Sequence, residues 1–130
     1  MLISEAAKLS GLSAKMIRRY EEMGLLSSHR QANGYRHYGQ QDIDTLRFIA
    51  QARKLGFSLQ DIQELTLLWS NPQRSSAQVK ALAIKHIQQL EANAQELLNM
   101  ATQLKQLAEQ CRGDADPECA ILNGLDGAQA

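Results

Sequence analysis

The feature that most constrains this sequence is a heptad repeat of apolar residues between positions 76 and 111. One heptad position is filled by Ala83, Leu90, Leu97, Leu104 and Cys111, and the position four residues later by Ile87, Ala94, Ala101 and Ala108. These are the d and a positions of a coiled coil, and at about 1.5 Å per residue they predict a helix of roughly 50 Å. The alternation of Leu with Ala favours a close antiparallel pair of such helices.

The chain is too short to cover this stripe by itself. Its 130 residues leave room for one small domain beside a helix of that length. A second copy of the chain is therefore predicted to cover the stripe, which makes the protein a homodimer. The other interpretation is a long helix that folds back against its own N-terminal domain.

The first part of the chain shows the signals of two short helices joined by a tight turn. The predicted helices cover residues 4–10 and 13–22, with Ser4 and Ser13 placed as N-caps and Gly11 in the turn between them. Two short helices joined by a turn of three or four residues that contains Gly are typical of a helix-turn-helix.

Residues 25–38 lack a helical period and contain a strong turn pair, Asn33-Gly34. The residues that follow the turn, Tyr35, Arg36 and Tyr38, alternate as the residues of a short β-ribbon do. We expect a two-stranded wing here.

Two further helices are predicted at about residues 40–55 and 58–69, the second with Ser58 placed to cap its start and Asp61 three residues later, and Pro72 then interrupts the pattern. The predicted organisation is residues 1–69 as an N-terminal domain with a helical extension, 70–75 as a hinge, 76–111 as the dimerisation helix, and 111–130 as a C-terminal loop and tail.

The charge is zero overall but unevenly distributed. Residues 1–56 carry nine Lys and Arg against five acidic residues, and residues 57–130 carry five against nine. A basic first part predicts that this part alone meets a polyanion. The sequence has no run of about 18 apolar residues and no secretory leader, so we expect a cytoplasmic protein without membrane contact. It also lacks the residue sets that indicate an enzyme.

The second predicted helix presents one polar stripe, formed by Lys15, Arg18, Arg19 and Glu22 at helical spacing. A helix-turn-helix places such a stripe in the major groove of DNA, where Arg and Lys reach guanine acceptors or phosphates. The alternative is an ordinary solvated helix face. Arg53 and Lys54, at the end of the third predicted helix, are further candidate phosphate contacts.

The only two cysteines, Cys111 and Cys119, are separated by seven mostly polar residues. They could be inert buried side chains, a redox-active pair, or metal ligands. A tetrahedral zinc site needs about four nitrogen or sulfur donors. Two thiolates alone suit a monovalent d10 ion such as Cu(I).

Together these stretches resemble the MerR family of regulators, and within it the copper-efflux-regulator (CueR-like) branch. The family resemblance rests on Ile17-Arg18-Arg19-Tyr20-Glu21, Gly24-Leu25, Asn33-Gly34-Tyr35-Arg36-His37-Tyr38 and Arg53-Lys54-Leu55-Gly56-Phe57-Ser58. The resemblance to the branch rests on Pro72-Gln73-Arg74, Ser76-Ala77 and the Cys-x7-Cys loop.

The resemblance implies a fold and a mechanism. The fold is mainly α, with a winged helix-turn-helix DNA-binding domain, a long antiparallel coiled-coil dimerisation helix and a C-terminal metal-binding loop. The dimer binds double-stranded promoter DNA, and metal binding distorts that DNA so that RNA polymerase at the promoter starts transcription. The implied DNA contacts are Lys15, Arg18, Tyr20, Tyr35, Arg36, Tyr38 and Arg53.

The resemblance also implies the metal site. Cys111 and Cys119 are the implied ligands of one Cu(I) per protomer, with Ag(I) and Au(I) as the alternatives. Ser76 stands where sensors of divalent ions carry a cysteine, which favours ions of charge +1. The chain departs from the pattern at Arg19, where an aromatic residue is common, and at Arg112, where copper sensors often have proline.

Overall fold

The structure, a computed structural model, describes residues 1–26, 29–30 and 36–127, with residues 29, 30 and 36 described by their backbone. Within this part of the chain the elements are α1 (Ile3–Ser10), α2 (Ala14–Glu22), β1 (His29–Arg30), β2 (Arg36–His37), α3 (Gln40–Lys54), α4 (Leu59–Ser70), α5 (Ser76–Gln110) and α6 (Ala120–Leu125). The chain forms two compact units, Met1–Leu82 and Ala83–Ala130, so that α5 contributes to both. The predicted division at the hinge stays a prediction, although α4 ends and α5 begins at its two edges.

Two of the predicted helix caps are confirmed and one is wrong. The hydroxyls of Ser13 and Ser58 accept hydrogen bonds from backbone N–H groups three residues later, both at 3.1 Å. Ser4 is not a cap, because α1 begins one residue earlier with Leu2 at the N-cap position and no side-chain cap. The carbonyl of Leu2 accepts from the N–H groups of Glu5 and Ala6 at 3.1 and 3.0 Å, which places Ser4 inside the first turn.

The predicted wing is present as an antiparallel strand pair. His29 pairs with His37 and Arg30 with Arg36. The predicted turn at Asn33-Gly34 lies outside the described residues. Directly after β2, the N–H of Tyr38 donates to the carbonyl of Met1 at 2.7 Å, which ties the start of the chain to the wing.

One apolar core holds α1 to α4 together and includes Leu26 and Tyr38 from the segments that flank the strand pair. Its members are Ala6, Leu12, Ile17, Tyr20, Leu26, Tyr38, Ile43, Leu46, Ile49, Ala52 and Ile62. Removing each large apolar side chain from water contributes about 1.5–3 kcal/mol, so this core accounts for the stability of the first unit. Around it, the guanidinium of Arg47 donates to the carbonyl of Leu9 at 3.3 Å, and the rings of Phe48 and Trp69 stack with centroids 4.3 Å apart.

The connection between α4 and α5 is a structured turn. The N–H of Gln73 donates to the side-chain oxygen of Asn71 at 2.9 Å. The guanidinium of Arg74 donates to the carbonyls of Trp69 and Asn71 at 3.1 and 3.2 Å. These bonds satisfy carbonyls at the end of α4, where the helix itself supplies no partner.

The long helix α5 has the predicted length and leaves its apolar stripe uncovered. None of its residues is buried, and Leu97 is 65% exposed. A stripe of this kind is typical of a helix that pairs with another chain. No helix of the described residues is both long and apolar enough to cross a membrane.

Candidate nucleic-acid interface and two-cysteine site

The second helix of the helix-turn-helix presents its basic residues to solvent. Ile17 and Tyr20 are fully buried, and they fix the rotation of α2 on the core. That rotation leaves Lys15, Arg18 and Arg19 exposed on the opposite face. The predicted polar stripe is therefore available to a partner along its length.

The end of α3 lies beside the turn of the helix-turn-helix. Arg53 and Lys54 line one shallow groove together with Ser10, Gly11 and Leu12 of the turn. Gly11 has a φ of 79°, a conformation that glycine adopts without steric cost, so the turn can be this tight. The groove places two cations next to the backbone of the turn between α1 and α2, and such an arrangement suits a phosphate group.

The structure does not place two of the predicted contact residues on the surface. The side chains of Tyr20 and Tyr38 are both fully buried in the core of the first unit. The ring of each fills the core of the first unit, and contact of these two side chains with DNA stays a prediction. Tyr35 lies outside the described residues. Arg36 lies in β2, and only its backbone is described.

The two cysteines come together at the ends of two helices. Cys111 follows the last residue of α5, and Cys119 is the N-cap residue of α6. Their sulfur atoms are 3.2 Å apart, and both are partly buried and free of a disulfide. The sequence placed them on one loop, and the structure brings the thiols into contact.

The start of α6 favours the thiolate form of Cys119. The backbone N–H of Leu122 is the largest cause that lowers the pKa of this thiol below its ordinary value, followed by the thiol of Cys111. Partial burial opposes them, and the N–H of Ile121 adds a smaller lowering. Thiolates are the metal-binding and nucleophilic form of cysteine, so these contacts prepare Cys119 for either chemistry.

A glycine seats α6 against α5 within the second unit. A Cβ atom at Gly124 would lie 2.6 and 2.8 Å from the two methyl groups of Leu107, closer than carbon atoms approach in proteins. The absence of a side chain at Gly124 therefore lets the two helices pack at this distance. Because Cys119 begins α6, this contact also sets the position of its sulfur.

The loop between the cysteines is organised by Arg112, a role that the sequence analysis missed. Its guanidinium lies 2.5 Å from a carboxylate oxygen of Asp116 and 3.7 Å from one of Asp114. The other oxygens of these carboxylates accept backbone N–H bonds at 3.0 Å from Asp116 and Glu118. The acidic side chains are exposed, as expected. The spacing of Arg112 and Asp116 by four residues was the available signal.

The donor set fits a soft ion held by two sulfurs. Two metal–sulfur bonds of about 2.3 Å span up to about 4.6 Å, and the observed 3.2 Å lies within that reach. Among the described residues no group of three or more His, Cys, Asp or Glu side chains could hold a metal. Ser76, the predicted selectivity residue, is the first residue of α5 and is exposed.

Sequence comparison identifies two matching family profiles. The profile described as MerR HTH family regulatory protein matches residues 1–67, and the one described as MerR, DNA binding matches residues 43–107. The chain is 50% identical over 126 residues to the HTH-type transcriptional regulator HmrR of Sinorhizobium medicae, covering 96% of this chain and 86% of that protein. It is 43% identical over 128 residues to the HTH-type transcriptional regulator CueR of Escherichia coli O6:H1, covering 98% and 95%.

Comparison with solved structures leads to the same family as the sequence comparison. The transcription regulator PbrR691 from Ralstonia metallidurans CH34, solved in complex with lead(II), superposes with a TM-score of 0.82 at 31% identity, covering 96% of this chain and 98% of that one. The similarity includes the helix-turn-helix, the long helix and the C-terminal segment. These matches are to regulators of transcription and not to enzymes. The chain belongs to the MerR family of helix-turn-helix regulatory proteins.

Proposed function

We propose that this protein is a metal-responsive transcription regulator that binds one Cu(I) per protomer between Cys111 and Cys119. It acts as a homodimer on double-stranded promoter DNA and activates RNA polymerase bound there, controlling genes of copper efflux or resistance. The observation that carries the proposal is the pair of free thiols 3.2 Å apart, with no third donor gathered around them among the described residues. The alternative ions are Ag(I) and Au(I), which share the preference for two sulfur donors.

The chemistry of the two-cysteine site favours a monovalent ion. Soft thiolates select Cu(I), which tolerates a small number of ligands, whereas zinc requires about four donors. Two thiolates and one ion of charge +1 leave a net charge of −1. The backbone N–H groups of Leu122 and Ile121 at the start of α6, which lower the pKa of Cys119, would offset part of this charge. Ser76 supplies a hydroxyl where a third thiolate would favour divalent ions.

The DNA-binding half of the proposal rests on the exposed basic face of α2 and the groove beside it. Lys15 and Arg18 are the proposed major-groove contacts, and Arg53 is proposed to bind a phosphate. Arg36, in β2, and Tyr35, which precedes it in the sequence, are proposed to contact the flanking DNA backbone. A small set of base-reading side chains suits recognition by DNA deformation.

The relatives support the metal half of the proposal. The relative CueR and the relatives named heavy metal-dependent regulators are 42–48% identical to this chain. PbrR691 was solved with lead(II) and MerR of Bacillus megaterium MB1 with mercury(II), so the ion must be tested directly.

The test is an anaerobic titration of the full chain with Cu(I) against a competing chelator, in parallel with a promoter reporter exposed to Cu, Ag, Au, Zn and Hg salts. We expect one tight site per protomer, lost in Cys111→Ser and in Cys119→Ser and kept in the control Ser75→Ala. The reporter should respond to the first three metals only. Unchanged binding and induction in both cysteine variants would overturn the proposal.

A thiol redox switch is the second candidate, because the same 3.2 Å contact also suits disulfide formation. Two thiols and one hydrogen peroxide would give one disulfide and two waters. Mass spectrometry of protein from unstressed and oxidant-treated cells separates the candidates. A reversible disulfide that follows transcription without any metal dependence would favour the redox switch.

A further inference from the structure

The loop that joins the two cysteines holds an ion-pair network on one arginine. Arg112 directly follows Cys111, and its guanidinium contacts Asp116 at 2.5 Å and Asp114 at 3.7 Å. The remaining carboxylate oxygens accept the N–H groups of Asp116 and Glu118, both at 3.0 Å. These contacts fold the loop back on itself between the two thiols.

We propose that Arg112 is a positioning residue, which gathers Asp114 and Asp116 into a folded turn and thereby holds Cys111 and Cys119 together before any ligand binds. Without this network, seven flexible residues separate the two cysteines, and closing such a loop costs conformational entropy. Arginine suits the task because its planar guanidinium can donate to two carboxylates at once. Gly113 has a φ of 67°, so the backbone directly after Arg112 can turn sharply toward the aspartates.

The network is exposed, and this limits its strength. The side chains of Arg112 and Asp116 are 63% and 42% exposed, so water and salt screen their attraction. We therefore expect a moderate effect that weakens with ionic strength, which a purely steric role of the side chain would not show. The benefit for metal affinity rests on the proposed function, but the effect on thiol proximity does not.

The test measures thiol proximity without a metal. The reduced full chain is equilibrated with glutathione buffers, in which the two protein thiols and one glutathione disulfide give one protein disulfide and two glutathione thiols. The equilibrium constant, read by alkylation and mass spectrometry, is the effective concentration of one thiol at the other. Wild-type chain at low salt is compared with Arg112→Ala, Asp116→Asn and the double variant, and Lys105→Ala is the control that removes one exposed positive charge outside the loop.

We expect Arg112→Ala to lower the effective concentration about twofold to fivefold, as for exposed ion pairs. Asp116→Asn, which keeps the acceptor for Glu118, should lower it less, and the double variant should equal Arg112→Ala because the two residues act together. Added salt should lower the wild-type value toward that of Arg112→Ala and leave the variant unchanged. Equal values for wild type and Arg112→Ala, or an equal drop in Lys105→Ala, would overturn the inference.

A parallel Cu(I) titration of the same variants separates this inference from the proposed function. If the wild type does not bind Cu(I) but the glutathione equilibrium changes as expected, the proposed metal is wrong and the positioning role of Arg112 stands. If the wild type binds one Cu(I) per protomer but Arg112→Ala has the same glutathione equilibrium as the wild type, the positioning role is wrong and the proposed function stands.

Discussion

The contact between Gly124 and Leu107 predicts how Gly124→Ala changes the stability with which α6 packs on α5. Two opposed effects decide whether that stability rises or falls. Gly124 lies inside the six-residue helix α6, where alanine is favoured over glycine by about 1 kcal/mol. The added Cβ would, however, lie 2.6 and 2.8 Å from the methyl carbons of Leu107 and 3.3 Å from its Cγ. Ordinary carbon contacts begin near about 3.5 Å, so α6 or Leu107 must move by about 1 Å.

The crowding should prevail over the helix propensity. Forcing an extra carbon into a packed contact costs about 1–3 kcal/mol. A helix as short as α6 is not stable alone and depends on packing against α5. We therefore expect Gly124→Ala to weaken the docking of α6 by about 1 kcal/mol, a factor of roughly five in the undocked population.

Amide hydrogen exchange of α6 measures this population directly. Gly124→Ala should speed exchange of the α6 amides about fivefold and leave the amides of α3 unchanged. In the Leu107→Ala background the clash is absent, so the same substitution should slow exchange through its helix propensity. Slower exchange of α6 in Gly124→Ala alone, or the same sign in both backgrounds, would refute the packing argument.

Three further predictions follow from single contacts. Tyr20→Phe should leave DNA affinity unchanged and change the free energy of unfolding by no more than about 1 kcal/mol, because the buried hydroxyl has no hydrogen-bond partner among the described residues; a large loss of DNA affinity without a loss of stability would restore Tyr20 as a contact. Ser13→Ala should cost about 1 kcal/mol in urea unfolding through the lost cap, whereas Ser4→Ala should cost less than about 0.5 kcal/mol. Cys119 should react with iodoacetamide at a lower pH than an ordinary thiol, because the N–H of Leu122 and the thiol of Cys111 lower its pKa. Its thiolate therefore stabilises the fold fully above the ordinary pKa of a thiol, and that contribution is lost as pH falls through the lowered pKa. Cys111→Ala, which removes the donor beside Cys119, should move the reaction of Cys119 to higher pH, and an unchanged profile would contradict the contribution of Cys111 to the lowered pKa.

Local signals in the sequence were sufficient for the helices and insufficient for the packing of single side chains. Ser13 and Ser58 were identifiable as caps because the capping bond joins residues three positions apart. The same rule failed at Ser4, because the backbone of Leu2 begins the helix without a side chain. The heptad predicted α5 to within one residue of its end, since a period of this length is hard to produce otherwise.

The site was predictable in its residue types and not in its geometry. The pattern of α2 placed Ile17 and Tyr20 inward, yet the family resemblance assigned Tyr20 to DNA, and burial supports the pattern. The spacing of Cys111 and Cys119 indicated a pair, but only the folded loop shows that their sulfurs touch. Arg112 was noted only as a departure from proline, although its spacing of four residues from Asp116 was a usable signal; its contact with Asp114 could not be inferred, because it depends on the backbone at Gly113.

The same arginine bears on which ion the two-cysteine site prefers. Asp114 and Asp116 lie in the loop between the two thiols, and oxygen donors favour hard divalent ions. Both carboxylates are bound to Arg112 and to backbone N–H groups, which makes them less available to an ion. Under the proposed function, Arg112→Ala should release two carboxylates and add one negative charge near the site. That charge attracts a divalent ion about twice as strongly as a monovalent one, so the affinity for Zn(II) relative to Cu(I) should rise about threefold to tenfold. Chelator competition with each metal measures this ratio, and Lys105→Ala provides the same change in net charge outside the loop. A ratio that rises equally in Lys105→Ala would show that net charge alone matters, and an unchanged ratio in Arg112→Ala would show that the aspartates have no part in excluding divalent ions.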